Sequence, residues 1–306
     1  MKEAIVVSQN IVVLVVFGFI GWILCKLKLI DGKQVKILSV LEVWIFMPCK
    51  TLTGFASSFT LEYISKKYTL IFASAVILLV TVIVSYPLTK LFVKDTYNRN
   101  IYRYEFTLPN YGYIGYALVE SLYGSEGLLN AMVFVLPLQI YAYTVGYSML
   151  TGSKISAKRL INPIFFGIVA GAVLGLTGVE LPWIVSTIVS QSGSFMAPLA
   201  MIMAGIVISQ MSIKEMFKGV GPYIVSLVRL IIVPLCAFAG MFKLFGLELA
   251  MTAAVICATP CGLNPIVIPK SRGLDCTRGA SYAFTSIMFS LMTLPFLTWA
   301  LITVFG

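Results

Sequence analysis

Ten apolar runs, each about twenty residues long, leave this chain few folds to choose from. They fall at 4–25, 37–59, 69–93, 103–123, 127–150, 160–178, 182–210, 220–243, 248–270 and 280–304. A run of that length crosses the hydrocarbon core of a bilayer as a helix. Lipid offers no hydrogen bonds, and a helix satisfies its backbone within one segment. The composition agrees. Charged residues make up 11% of the chain, against about 25% in a soluble domain, and mean hydropathy is +0.97. The expectation is an all-α polytopic membrane protein with ten transmembrane helices.

The loop charges set an orientation. Of 22 Lys and Arg, sixteen lie in or beside the loops after runs 1, 3, 5, 7 and 9. Four lie at the N-terminus and after runs 2 and 8, and Lys50 and Arg229 fall inside runs. Cytoplasmic loops hold the excess of Lys and Arg, which places both termini outside the cytoplasm of a multi-pass cell-membrane protein. The net charge of +10 is therefore a topology signal, and no nucleic-acid partner is expected. The first run is followed by Lys26, Lys28, Lys33 and Lys36 and lacks a small-x-small end. It reads as a spanning helix and not as a cleaved leader. Histidine is absent, which removes the commonest acid–base group at neutral pH. With no HExxH and no phosphate loop, no enzyme, cofactor or metal site is expected. Cys25, Cys49, Cys236, Cys257, Cys261 and Cys276 form no CxxC pair and read as small apolar fillers.

Two runs carry residues that an uninterrupted lipid-facing helix has little use for. One is Thr107-Leu108-Pro109-Asn110-Tyr111-Gly112-Tyr113-Ile114-Gly115, and the other is Ala258-Thr259-Pro260-Cys261-Gly262-Leu263-Asn264-Pro265. Proline lacks an amide hydrogen and disfavours helix in the residue before it. Glycine lets the backbone open or a neighbour approach. The two stretches sit in the fourth and ninth runs, five runs apart. Other matches keep the same order. Phe46-Met47-Pro48 with Gly54 pairs with Phe195-Met196-Ala197-Pro198 with Gly205, and Gly18 and Gly21 pair with Gly167 and Gly171. An odd number of spans per repeat inverts the second half, the pattern of secondary transporters whose broken helices bind substrate at the midplane.

The residues allow two readings at each site. A half-helix beginning after Pro109, and another after Pro260, Gly262 and Pro265, would aim amides and a positive dipole end at mid-membrane, which suits a carboxylate. Asn110 and Asn264 would then hold the substrate or stitch the two segments together. Alternatively these residues only kink and pack helices. Arg229, about 13 Å into its span at 1.5 Å per residue, either attracts an anion or pairs with a carbonyl or carboxylate. Lys50 either snorkels to the surface or sits at a moving interface. Glu42 and Glu120 are the carboxylates placed well within runs, both nearer an end, and the expectation is that they are exposed rim residues. Trp44 and Tyr68 read as interface anchors or core. Coupling to H+ or Na+ stays open.

These motifs resemble the auxin efflux carrier family, the bacterial branch related to plant PIN carriers and to malonate or malate permeases. The carrying residues are Phe46-Met47-Pro48, Pro109-Asn110-Tyr111-Gly112 through Gly115 with Tyr123-Gly124, Gln139, and Ala258-Thr259-Pro260 with Asn264. The likeness runs nearly end to end. It implies a five-plus-five inverted repeat similar to the bile-acid sodium symporter fold, with helices 4 and 9 broken and crossing. It implies a scaffold at 1–59 and 160–210, a transport domain at 60–159 and 211–306, and elevator-type movement of small organic anions, commonly by homodimers through the scaffold. It adds Tyr111, Gly112, Gly115 and Gln139 to the expected substrate contacts, although an interhelical hydrogen bond would equally explain Gln139. The chain departs from the plant carriers in lacking a long central loop and an Asp–Lys pair in the third run. A sodium-coupled symporter of the bile-acid type, a non-transporting sensor of lipid or sterol, and a channel are the alternatives.

Overall fold

The computed structural model describes residues 2–210 and 221–305. The loop carrying Lys214 and Lys218, and the first residue expected in the eighth run, lie outside the described residues. Among the described residues every regular element is helical, apart from one isolated β-bridge.

Helix α1 spans Lys2–Lys26. α2 (Gln34–Leu41) passes through a π-helical turn at Glu42–Phe46 into α3 (Met47–Ser58). The short α4 (Leu61–Lys67), whose first turn is capped by the Thr60 side chain, leads to α5 (Thr69–Lys90). α6 (Thr96–Thr107) starts at an Asp95 cap. Beyond a break come a π turn at Tyr111–Gly115 and then α7 (Tyr116–Tyr141). α7 kinks at Gly124, with φ 63° and ψ −155°, a region open essentially to glycine. That residue stands where the sequence led us to expect a loop between the fourth and fifth runs. A π turn at Ala142–Gly146 carries the chain into α8 (Tyr147–Thr151). α9 (Pro163–Thr177) opens with an Asn162 cap and proline in the first turn, and closes on left-handed Gly178. α10 (Trp183–Ser194) and α11 (Met196–Ser209) follow. α12 (Gly221–Leu227) passes through a π turn at Val228–Ile232 into α13 (Val233–Phe245). The remaining helices are α14 (Leu247–Ala258), α15 (Asn264–Ser271) and α16 (Thr277–Phe305).

Among the described residues, five stretches are long and apolar enough to cross a membrane: Thr69–Lys90, Tyr116–Thr151, Trp183–Ser209, Gly221–Phe245 and Thr277–Phe305. Shorter apolar helices cover Val12–Lys26, Pro163–Thr177 and Leu247–Ala258. The chain is a multi-pass membrane protein, and its side chains are sorted for lipid. On α5, the buried face carries Ser74, Thr81, Ser85 and Thr89, while Phe72, Leu79 and Ile83 point outward. The three buried hydroxyls at 81, 85 and 89 bond carbonyls three or four residues back in their own helix. Trp44 and Tyr68 are exposed, in keeping with interface anchors.

Lipid tails are as apolar as leucine, so helices in a bilayer associate through close packing. Two seams show this. α1 packs on α11, and α3 packs on α9. A methyl group on Gly21 would strike the backbone of Ile202, and one on Gly205 would strike the carbonyl of Gly18. Gly167 and Gly171 lie equally close to the carbonyls of Pro48 and Leu52.

Candidate functional site

The break after α6 begins where proline chemistry requires it. Leu108 is extended (φ −110°, ψ 111°), as a residue before proline should be. Thr259, before Pro260, is extended too (φ −63°, ψ 148°). Freed from their helices, the two segments pair with each other. The Asn110 N–H donates to the Pro260 carbonyl at 2.8 Å, and Pro109 and Cys261 form an antiparallel bridge. Two helical starts, at Tyr111 and at Asn264, therefore lie at one meeting point. The first amides of a helix have no acceptor within it.

The meeting point encloses a cavity of about 40 Å³ lined by Asn110, Tyr111, Gly112, Gly262 and Asn264, with Tyr104 beside them. The Asn264 Nδ2 donates to the Tyr104 hydroxyl at 2.8 Å. This space suits a water molecule, not an organic anion. A second cavity of about 390 Å³ shares Met47, Tyr143, Leu263 and Asn264 with it and has the size of a ligand site. A larger concavity, about 1010 Å³, lies at the end of α1 and start of α2, and its wall reaches Gln210, next to residues outside the description. It shares no wall residue with the meeting point.

Other expected residues stand around this core and not in it. Gly115 packs where an added methyl would meet the tip of Ile256, and the Pro265 carbonyl abuts Gly279 of α16. Pro260 supplies the carbonyl that Asn110 uses. Gln139 is buried, and its Nε2 donates to the Tyr116 hydroxyl at 3.4 Å while its Oε1 has no partner. Arg229 is buried behind the second break. Its Nη1 donates to the Cys257 carbonyl at 3.2 Å, and its Nε and Nη2 have no hydrogen-bond partner.

The family model described as "Membrane transport protein" matches residues 6–298. The chain belongs to the auxin efflux carrier family. It is also 26% identical over 202 residues to an uncharacterized transporter of Methanothermobacter thermautotrophicus, a match covering 61% of this chain and 63% of the relative. The chain thus spans less than two thirds of the length of that relative.

Two features of the chain escape the sequence reading. Glu42 is not an exposed rim residue. The π turn in the second run carries it inward, where it is 0% exposed and both carboxylate oxygens lack partners. Glu120 is nearer the expectation, with its side chain 40% exposed, but it forms an ion pair with Lys50 Nζ at 2.7 Å. Lys50 therefore reaches a carboxylate instead of snorkelling outward.

The second feature is Glu105, which a fourth run starting at residue 103 leaves at its very end. α6 starts at Thr96, so Glu105 sits one turn before Pro109, at the break itself. It is 0% exposed with both carboxylate oxygens unpartnered. The Cys261 thiol donates to the main-chain carbonyl of Glu105 at 3.5 Å. Cys261 is a free thiol and more than a filler. Its N–H also donates to Ser286 Oγ at 3.0 Å.

Proposed function

We propose that this carrier is a secondary transporter of small organic anions, such as mono- or dicarboxylates or auxin-like acids. The observation that supports this best is the pairing of the two breaks, with Asn110 and Asn264 on one cavity at two helix starts. Helix starts bring amides and a positive dipole end, and in a dry site these hold a carboxylate without a resident cation.

In this reading ten helices form a five-plus-five inverted repeat, with the broken fourth and ninth crossing. The scaffold is 1–59 with 160–210, and the transport domain is 60–159 with 211–306. The glycine seams of α1 on α11 and α3 on α9 join scaffold helices only, as a static body requires. The transport domain slides against it and carries the crossing through the barrier. A homodimer through the scaffold and extracytoplasmic termini complete the reading.

The test is uptake of radiolabelled carboxylates into proteoliposomes, with and without a sodium gradient. Saturable uptake that Asn110→Ala and Asn264→Ala both abolish is the expected result. Uptake that requires sodium would favour the bile-acid-type symporter. No uptake of any anion, together with thermal stabilisation by a sterol, would replace the transporter reading with the sensor.

A further inference from the structure

The concavity of about 1010 Å³ between the end of α1 and the start of α2 lies apart from the meeting point of the breaks. Its wall joins two kinds of chemistry. Lys28, Lys33 and Lys36 line it and are exposed, while Val207 of α11 and Ile266 of α15 line it and are buried. Val40 and Trp44 belong to the same wall and are 50% and 65% exposed. The cavity therefore has a basic mouth, an apolar depth and an open side on the face that α2 turns to lipid.

Local structure does not ask for these lysines. α1 closes with the Lys28 N–H on the Cys25 carbonyl at 3.0 Å and the Leu29 N–H on the Leu24 carbonyl at 3.1 Å. That closure needs a left-handed residue, a place glycine fills without steric cost. Here it is Lys28, with φ 57°. Lys33 and Lys36 stand at the start of α2, where Lys33 is the cap residue without a side-chain cap bond and the first turn has no acidic residue. Cations are disfavoured at that end of a helix. The carboxylate in the wall, Asp31, uses its Oδ1 on the Lys33 main-chain N–H at 2.6 Å. Among the described residues none of the three lysines has a carboxylate within 4.0 Å. Basic residues anywhere in this loop would satisfy the topology rule. It does not demand that they border an apolar cavity from positions that local energetics disfavour. A bound anion would offset both costs.

We propose that this cavity binds an anionic phospholipid, its phosphate among Lys28, Lys33 and Lys36 and its acyl chains running past Val40 and Trp44. In the orientation read from loop charge, the lysines face the cytoplasmic leaflet, where basic pockets between helices collect anionic head groups. The volume stands at the upper end of small-ligand sites. A small soluble anion would leave most of the apolar wall against water, whereas acyl chains cover it. The site is separate from the one proposed for organic anions and does not rest on that reading.

The test is native mass spectrometry of the full-length protein in micelles containing dioleoyl phosphatidylglycerol or dioleoyl phosphatidylcholine, which share their chains. Phosphatidylglycerol should bind about tenfold more tightly, the scale set by a head group beside a lysine cluster. Lys33→Gln combined with Lys36→Gln should remove most of that preference and leave phosphatidylcholine binding unchanged, which also shows that the variant is folded. Lys28→Gly should remove part of it and melt no lower than the parent, because glycine suits the left-handed position. Lys154→Gln with Lys158→Gln, in another loop and outside the cavity wall, should keep the preference. Equal binding of the two lipids would overturn the inference, as would a preference that survives the Lys33 and Lys36 substitutions or falls equally in the Lys154 and Lys158 variant. Displacement of the lipid by an equal concentration of glycerol phosphate or of a small carboxylate would show a site for soluble anions and overturn it too. None of these readouts involves carboxylate uptake, so failure here leaves the proposed function standing.

Discussion

The two broken segments look alike in sequence and are held in different ways. The first closes largely on its own backbone. The Asn110 carbonyl accepts from the N–H groups of Ile114 and Gly115 at 3.3 and 3.1 Å, and the helix resumes at once through a π turn. Residues 101–112 are all buried. The second depends on side chains from elsewhere in the fold. Arg229 holds the Cys257 carbonyl, Ser286 holds the Cys261 amide, and Tyr104 holds Asn264. Gly262 and Asn264 are half-exposed, and Asn264 alone of the two asparagines reaches the larger cavity. The difference suggests a division of labour. Under the proposed function, the first break would serve as the platform and the second as the side that meets substrate.

The strongest way to break this contrast is Arg229→Met. It leaves the buried Cys257 carbonyl without its donor, so a loss of about 2.5 kcal/mol is expected. Thermal unfolding in detergent measures it. An unchanged melting temperature in the single variant would show that the second break does not hang on Arg229.

Next is the asymmetry between the asparagines. Asn264→Ala should weaken carboxylate binding by about thirtyfold, in line with loss of about 2 kcal/mol for a hydrogen bond to a charged group. Asn110→Ala should cost less in affinity, and a reversed order in the titrations would reverse the assignment of the substrate side.

The supporting glycines should differ as well. A methyl on Gly279 meets the Pro265 carbonyl oxygen at 2.7 Å, and backbone cannot move aside cheaply. Gly279→Ala should cost about 1.5 kcal/mol of stability. A methyl on Gly115 meets the flexible tip of Ile256 at the same distance, so Gly115→Ala should cost about 0.5 kcal/mol. Equal melting temperatures for the two would erase that part of the contrast. Between them in size, Tyr104→Phe removes only the hydroxyl that holds Asn264. It should weaken binding about fivefold, equivalent to about 1 kcal/mol, with little change in the fold.

Much of this was legible along the chain. Lipid forces every spanning segment to satisfy its own backbone, so apolar length and loop charge identify a multi-pass helical protein from local pattern alone. Proline geometry is local too, and the breaks fall where Pro109 and Pro260 place them. The boundary between the fourth and fifth runs was legible too, since Gly124, the non-helical residue in α7, falls in the short expected loop at 124–126.

What the sequence determined by itself is therefore the class of solvent, the helices and the positions of the two interruptions, because each follows from a few neighbouring residues. Tertiary structure alone decided which polar groups face inward and what they meet. Lys50 finds Glu120 seventy residues away, Asn264 finds Tyr104, and a π turn rotates Glu42 from the expected rim into the interior. Partners so distant in the chain leave no periodic trace in it, and a one-residue bulge shifts the facing of everything around it. The cost of burying an unpaired charge is set by what the fold brings near, not by its neighbours in sequence.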